Sequence, residues 1–303
     1  MIGKNGMNRM PSWLIAMIAA VVGASAFGSL VLPLLSAQDL VAEARERYAD
    51  IPGVRIFYTD TGGRGVPVVF LHSGTGSSQN WEHQIPAFTA AGYRFIAYDR
   101  RGWGRSVSVP AGAQAGTDVD DLQALMDHLG IERFHLVGTA AGGFVALDYA
   151  LSYPKRLRSL VMANSTGGVV DAEYLELGRR IRPALFDTMP PEFREIGPSY
   201  RAANPEGTRK WIELERISRP KGTPLVPQAM KNRVTFSLLE KIEVPTLLIA
   251  GDTDFYAPPP FLRFFTSRIK KSESAIIPEA GHSSYWEQPE IFNRTVLEFL
   301  RKH

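Results

Sequence analysis

No cysteine occurs among the 303 residues. That excludes disulfides, thiolate metal sites and a cysteine nucleophile, and it leaves the redox compartment open. A large excess of one charge is also lacking, since 34 Lys and Arg against 31 Asp and Glu leave a formal +3. No cluster of Lys and Arg is interleaved with aromatics, so no nucleic-acid partner is expected. His83, His128, His135 and His303 have no metal-ligand spacing and read as surface or packing residues. The Gly/Ser run at 74–78 lacks the Gly-Lys-Ser/Thr ending of a phosphate loop. No metal and no cofactor are expected, and there is no internal repeat or low-complexity tract.

One stretch lacks charge altogether. Between Arg9 and Asp39 no ionisable acid or base appears, and Trp13–Leu35 is a 23-residue apolar run preceded by Lys4 and Arg9. A helix needs about 20 residues to cross a bilayer. Residues 1–38 therefore read as a signal peptide, with "ASA" at 24–26 as a candidate cleavage site, or as an N-terminal membrane anchor through residues 13–35. Basic residues on the short N-terminal side favour keeping that end in the cytoplasm. The rest is then expected to be exported, as a periplasmic, secreted or membrane-anchored protein.

What is present from about residue 53 onward is alternation. Strand-like runs at 54–60, 66–72, 93–99, 133–138, 157–164, 244–252 and 274–280 are separated by helix-like segments. The later runs are nearly continuous Val, Ile and Leu, as for strands covered on both faces. "DVDDLQALMDHLG" begins acidic and stops at Gly130, and the last helix follows a Pro and ends basic. The pattern predicts an α/β fold with a doubly wound, mostly parallel sheet. Residues 166–240 break it: rich in Arg, Glu and Pro and without a strand signal, they read as an inserted helical cap. The expected domains are 39–165 and 241–303 as the two parts of the core, with 166–240 between them.

Four pieces fall at the expected C-terminal ends of strands, where open α/β sheets bind ligands. "LHSGTGSS" at 71–78 can turn backbone N–H groups toward a ligand oxygen, although such loops are often plain turns. In "FHLVGTAAGGFVALDYA" at 134–150 a strand runs into a helix through Gly138, Gly142 and Gly143. A turn that tight lifts residue 140 above the sheet and leaves the Ala141 N–H unpaired at a helix start. "AGDTDFYAP" holds Asp252 and Asp254, and "EAGHSSYWEQPE" holds His282. A carboxylate beside an imidazole sets its tautomer and stabilises the imidazolium formed on proton transfer. His72 at a strand end reads as a buried structural partner, and Asp99, Arg100 and Arg101 as a brace for their turn.

These motifs, together with "YDRRGWGRS" at 98–106, resemble the α/β-hydrolase superfamily, most closely its esterase and cofactor-free haloperoxidase-like branch. The resemblance runs from about residue 53 to the C-terminus and is weakest across the cap. It implies the α/β-hydrolase fold with a cap inserted after the sixth core strand. It further implies His282 as general base, Asp254 rather than Asp252 as its acid, and the N–H groups of Gly74 and Ala141 as an oxyanion hole. Two residues depart from the pattern. Ser73 stands where the family has Gly, adding a hydroxyl to the pocket. Ala140 stands at the nucleophile position and has no attacking atom; Thr139 lies one residue off the turn's tip and Ser165 beyond another strand.

Three functions fit this sequence. It is a carboxylic ester or lactone hydrolase whose serine has been replaced by Ala140, a trapped inactive variant. Or it is a naturally serine-less enzyme that uses His282 and Asp254 for direct water attack, lyase or cofactor-free oxygenase chemistry. Or it is a binding protein on the same fold. Tyr285 and Trp286, with Ser73, are expected to contact a medium-sized, mainly apolar small-molecule substrate; Tyr200 and Trp211 could do so or simply pack. The sequence does not indicate an oligomeric state.

Overall fold

A computed structural model describes residues 45–108, 116–218 and 228–303. The apolar run at 13–35 lies outside the described residues. Among those described, no helix is long and apolar enough to cross a membrane.

Among the described residues nine strands form a single sheet: β1 (Arg45–Ile51), β2 (Val54–Asp60), β3 (Pro67–Leu71), β4 (Arg94–Tyr98), β5 (Val107–Ser108), β6 (Phe134–Thr139), β7 (Leu157–Ala163), β8 (Thr246–Gly251) and β9 (Ser272–Ile277). Their spatial order is β1-β2-β4-β3-β6-β7-β8-β9, with the two-residue β5 paired to β2. The contacts of β2 with β1, β4 and β5 are antiparallel; every pairing from β4 to β9 is parallel. β1 and β5 are strands that the sequence pattern did not suggest. The reason is that β1, RERYADI, is almost wholly exposed. It is held by its ladder to β2 and has no apolar face to betray it.

The parallel strands alternate between two buried layers. Val69 and Leu71 of β3 face one apolar layer while Val68 and Phe70 face the other, and the neighbouring strands follow the same period of two. Helices α2 (Asp118–His128) and α3 (Ala141–Ser152) cover the first face through Leu122, Leu125, Val145 and Tyr149. α1 (Gln84–Ala90) and the last helix, α11 (Pro289–Leu300), cover the second through Phe88, Phe292, Val296 and Phe299. Thr117 caps α2 by accepting from the Asp120 N–H at 3.1 Å, and the acidic first turn suits the helix dipole. Between β7 and β8 the described residues hold only helices: α4 (Ala172–Ile181), α5 (Pro191–Glu195), α6 (Pro198–Ala203), α7 (Pro205–Ser218), α8 (Phe236–Leu239) and one 3-10 turn. Three more short helical elements precede α11, among them α9 (Leu262–Thr266) and α10 (Ser284–Glu287). With β5 set aside, the helical segment follows the sixth strand in chain order.

The "YDRRGWGRS" turn lies beneath the loop after β3 and is a node of buried polar bonds. Asp99 accepts from the N–H groups of Ser78 (2.7 Å) and Arg105 (2.8 Å). Arg101 forms a forked pair with Asp121 of α2, at 2.7 and 2.9 Å, and also donates to the Gly53 and Pro52 carbonyls. Both partners of that pair are buried. Asp121→Ala should therefore strand a buried guanidinium and lower the unfolding free energy by about 3–5 kcal/mol. Urea denaturation at pH 7 measures this, and a loss under 1 kcal/mol would contradict the assignment.

Candidate active site

The centre of the site is the turn from β6 into α3, and its shape follows from a lack of room. A Cβ on Gly138 would stand 2.4 Å from the Gly142 carbonyl oxygen. One on Gly142 would meet the Leu71 carbonyl oxygen at 2.3 Å, and one on Gly143 would meet the Ser165 hydroxyl at 2.5 Å. With α3 pressed so closely on β3, β6 and β7, the chain reverses within one residue. That residue is Ala140, at φ 49° and ψ −117°. A non-glycine residue there costs on the order of 1–3 kcal/mol. The conformation is held by three bonds: Ala140 N–H to the Ala163 carbonyl (3.0 Å), Ser165 hydroxyl to the Ala140 carbonyl (2.7 Å), and Gly143 N–H to that same carbonyl (3.0 Å).

The Ala140 methyl borders a cavity of about 290 Å³. Gly74 flanks Ala141 so closely that a Cβ on Gly74 would lie 3.7 Å from the Ala141 methyl. Neither residue's N–H is engaged by another group among the described residues. Two free donors side by side, one of them at the first position of a twelve-residue helix, suit a developing oxyanion. The loop that carries Gly74 is fixed from below by His72. Its Nδ1 is 2.6 Å from the Ser73 carbonyl, and its Nε2 accepts from the Arg100 N–H at 3.0 Å. Burial holds the His72 pKa well below the usual value, aided by Arg100, so the ring is neutral with its proton on Nδ1.

His282 borders the same cavity. Its Nδ1 lies 2.9 and 3.0 Å from the two Asp254 carboxylate oxygens, which leaves Nε2 as the nitrogen available to the cavity. Asp254 is buried, whereas Asp252 is exposed and does not reach the imidazole. Asp254 also accepts from the N–H groups of Tyr256 (2.7 Å) and Ala257 (3.1 Å) and from the Asn164 amide (3.1 Å). Burial alone would raise the Asp254 pKa, but His282 and these donors outweigh it and leave the carboxyl below its ordinary range. Burial likewise acts to lower the His282 pKa, and the opposing carboxylate of Asp254, with Glu195 and Glu287, leaves it raised. The pair is an imidazolium-stabilising couple.

Ser73 and Gly74 border the cavity, and Thr75 joins them, its hydroxyl 2.9 Å from that of Ser73. Tyr285 and Trp286 lie elsewhere: both are buried in the second core layer, with ring centroids 4.7 Å from Trp81 and 5.2 Å from His83 respectively. Trp211 and Tyr200 belong to that layer as well. The Ser165 hydroxyl is occupied, donating to Ala140 and accepting from the Gly167 N–H at 3.1 Å. The Thr139 side chain is fully buried and does not border the cavity.

Several residues at the site carried no functional signal in the sequence. Asn164, at the end of β7 with φ 49°, ties Asp254 to the Gly281 carbonyl (3.0 Å) and accepts from the Ser284 hydroxyl (2.5 Å). An Asn closing a buried strand is a residue suited to left-handed backbone, and that was the available clue. Tyr256 lays its ring over the imidazole at 4.2 Å. Arg182 and Glu195 reach the cavity from the helical segment. Nothing in an Arg- and Glu-rich stretch distinguishes them from solvated charges.

Glu287 joins the histidine loop to the helical segment. Its carboxylate accepts from the N–H groups of Gly281 (2.9 Å), Ser283 (3.1 Å) and Gly197 (2.7 Å). Burial pushes its pKa up to about 7 against the pull of those donors.

Comparison with known proteins accords with this geometry. The family model described as "alpha/beta hydrolase fold" matches residues 66–289. The chain belongs to the α/β-hydrolase superfamily. A 2-hydroxy-6-oxononadienedioate/2-hydroxy-6-oxononatrienedioate hydrolase of Burkholderia vietnamiensis is 30% identical over 281 residues, covering 82% of this chain and 92% of that protein. Among solved structures, a thermophilic esterase from Thermogutta terrifontis superposes with a TM-score of 0.70 at 28% identity, over 86% of this chain and 99% of the esterase. A bromoperoxidase from Bacillus anthracis superposes at 0.68 with 28% identity, over 85% and 100% of the two chains.

The Glu287 shift has a measurable consequence. Between its ordinary value of 4.5 and about 7 the folded protein retains a proton that the unfolded chain has released. Stability therefore falls as pH rises through that window, by at most about 1.4 kcal/mol per pH unit. Unfolding free energies measured from pH 4.5 to 7.5 should show this decline and lose it in Glu287→Gln. An identical pH dependence in the variant would contradict it.

Proposed function

We propose that the site binds a medium-sized, mainly apolar carboxylic ester or lactone and orients it for hydrolysis. The observation that carries this reading is that His282, paired with Asp254, borders the same cavity as Ala140 and the residues bearing the free N–H groups, Gly74 and Ala141. A carbonyl oxygen seated between those two donors gains stabilisation as it becomes an oxyanion. With a hydroxyl at residue 140, His282 would take its proton as the oxygen attacks, and an acyl-enzyme would form. With Ala140 that covalent step has no nucleophile, and the chain retains binding and carbonyl polarisation. The strained backbone of residue 140 supports the reading too, because glycine would relieve the strain where no side chain had a role. The named esterase and hydrolase relatives lend support at the level of reaction class. The apolar run before the core supports an exported or membrane-anchored location.

Ala140→Ser should raise kcat toward an aryl ester by about 10³-fold or more. A fluorophosphonate probe should label that variant and leave the Ala140 protein unlabelled. A folded Ala140→Ser protein that neither takes the label nor gains activity on a panel of aryl esters and lactones would exclude the reading.

A second reading is favoured by one observation, the buried carboxyl of Glu195 bordering the same cavity. A site with an acid–base pair and a further carboxyl has the parts for direct attack by water, with His282 Nε2 as base. On that reading the Ala140 protein itself turns over an ester, and His282→Ala removes the turnover. Unchanged turnover in His282→Ala would exclude direct water attack.

A further inference from the structure

Glu195 is an uncommon residue to find where it is. It ends α5 on the helical segment, is 5% exposed, and borders the cavity that holds His282 and the Ala140 methyl. A carboxyl seldom stays buried without a partner or a role. Its backbone is pinned to the histidine loop, the Ser283 N–H donating to the Glu195 carbonyl at 3.0 Å. Its carboxyl and the Tyr256 hydroxyl are electrostatic neighbours. The Tyr256 ring in turn lies over the imidazole, and its N–H binds the same Asp254 that orients His282. No forked arginine pair claims Glu195, in contrast to Asp60 and Asp121, which Arg94 and Arg101 hold at 2.7 Å. The charged and titratable groups around it are His282 and Asp254 from the core, Tyr256 after β8, Arg194 on its own helix, Tyr285, and Arg182, which borders the same cavity.

We propose that Glu195 is the proton donor to the departing oxygen when water, rather than residue 140, attacks the bound ester. This rests on the direct-water reading and names the group that reading leaves unassigned. His282, once it holds the water's proton, returns it to the leaving oxygen only where that oxygen reaches Nε2. Glu195, a buried carboxyl brought to the same cavity by the helical segment, is a second donor for a leaving oxygen directed toward that side. The step balances: the water oxygen bonds to the carbonyl carbon while its proton passes to His282 Nε2, and the oxyanion forms on the Gly74 and Ala141 N–H groups. As the carbonyl re-forms, the carbon–oxygen ester bond breaks and the leaving oxygen takes the Glu195 proton. Transfer from His282 back to the Glu195 carboxylate restores the site, giving one acid and one alcohol from one ester and one water. Burial raises the Glu195 pKa, more than His282, Tyr256 and Arg194 lower it, and so extends the pH range in which the donor is loaded.

The test is leaving-group dependence on the full-length Ala140 chain. Alkyl alcohols leave poorly and need a proton, whereas 4-nitrophenolate leaves without one. General acid catalysis is worth about 10²–10⁴-fold, so Glu195→Gln should reduce the ratio of alkyl-ester to 4-nitrophenyl-ester kcat/KM at least about 10-fold. Equal losses on both esters would mark Glu195 as structural and overturn the proposal while leaving direct water attack standing. A second measurement needs no variant: across esters of one acid, kcat/KM of the unsubstituted chain should depend only weakly on the leaving-group pKa. A steep dependence overturns the proposal. Absence of turnover of every ester by the unsubstituted chain overturns the direct-water reading and this proposal together.

Discussion

The close approach of α3 to three strands is the constraint from which the site follows. Gly138, Gly142 and Gly143 each face a heavy atom of a neighbouring segment at a distance no methyl could share. The chain has one way to turn in that space, and it sends residue 140 through left-handed backbone with its side chain toward the cavity. The same packing leaves the Ala141 N–H at a helix start beside Gly74, so the two free donors and the placement of residue 140 are products of one packing event. The methyl at 140 is thus an occupant of a position shaped by its neighbours. The turn's geometry does not depend on a hydroxyl there.

A second set of bonds holds the proton-transfer side together. Asp254 receives two backbone N–H groups and the Asn164 amide in addition to the imidazole, so its carboxylate is fixed in place before any charge moves. Asn164 grips the Gly281 carbonyl, one residue before His282. Glu287 grips the N–H of Gly281 and that of Gly197 on the helical segment. A Cβ on Gly281 would lie 2.6 Å from the Gly197 nitrogen, so the two loops touch backbone to backbone. This contact explains how Glu195, two residues before Gly197, comes to share a cavity with His282. The elements that supply Asp254, His282 and Glu195 are separated by up to about 90 residues of sequence and are joined by a handful of buried bonds.

Legibility differed between the sheet and the cap for physical reasons. Strands buried on both faces, such as β3, β6 and β8, write their burial as continuous apolar runs, and the glycines at their ends mark where the chain must turn. β1 escaped notice because an exposed edge strand is stabilised by backbone ladder bonds that any side chain allows. In the site, Gly74, Ala140, Ala141, Asp254 and His282 stood out because each follows a strand in a short loop of recognisable composition. Glu195 and Asn164 did not, since their significance lies in partners 90 residues away. Tyr285 and Trp286 were misleading in the opposite sense: aromatic residues next to the histidine suggested a pocket wall, yet the short helix α10 turns both into the core against Trp81 and His83.

The sequence by itself determined the alternation of strands and helices, the tight turn around residue 140, and the absence of an attacking atom at its tip. These are local matters, set by side-chain size, apolar periodicity and glycine. Only the tertiary structure decided that Asn164 and Glu287 brace the Asp254–His282 pair, and that Glu195 is folded from the helical segment into the same cavity. Those outcomes depend on which distant backbones can approach without clash, a property that appears once the sheet and the helical segment have assembled.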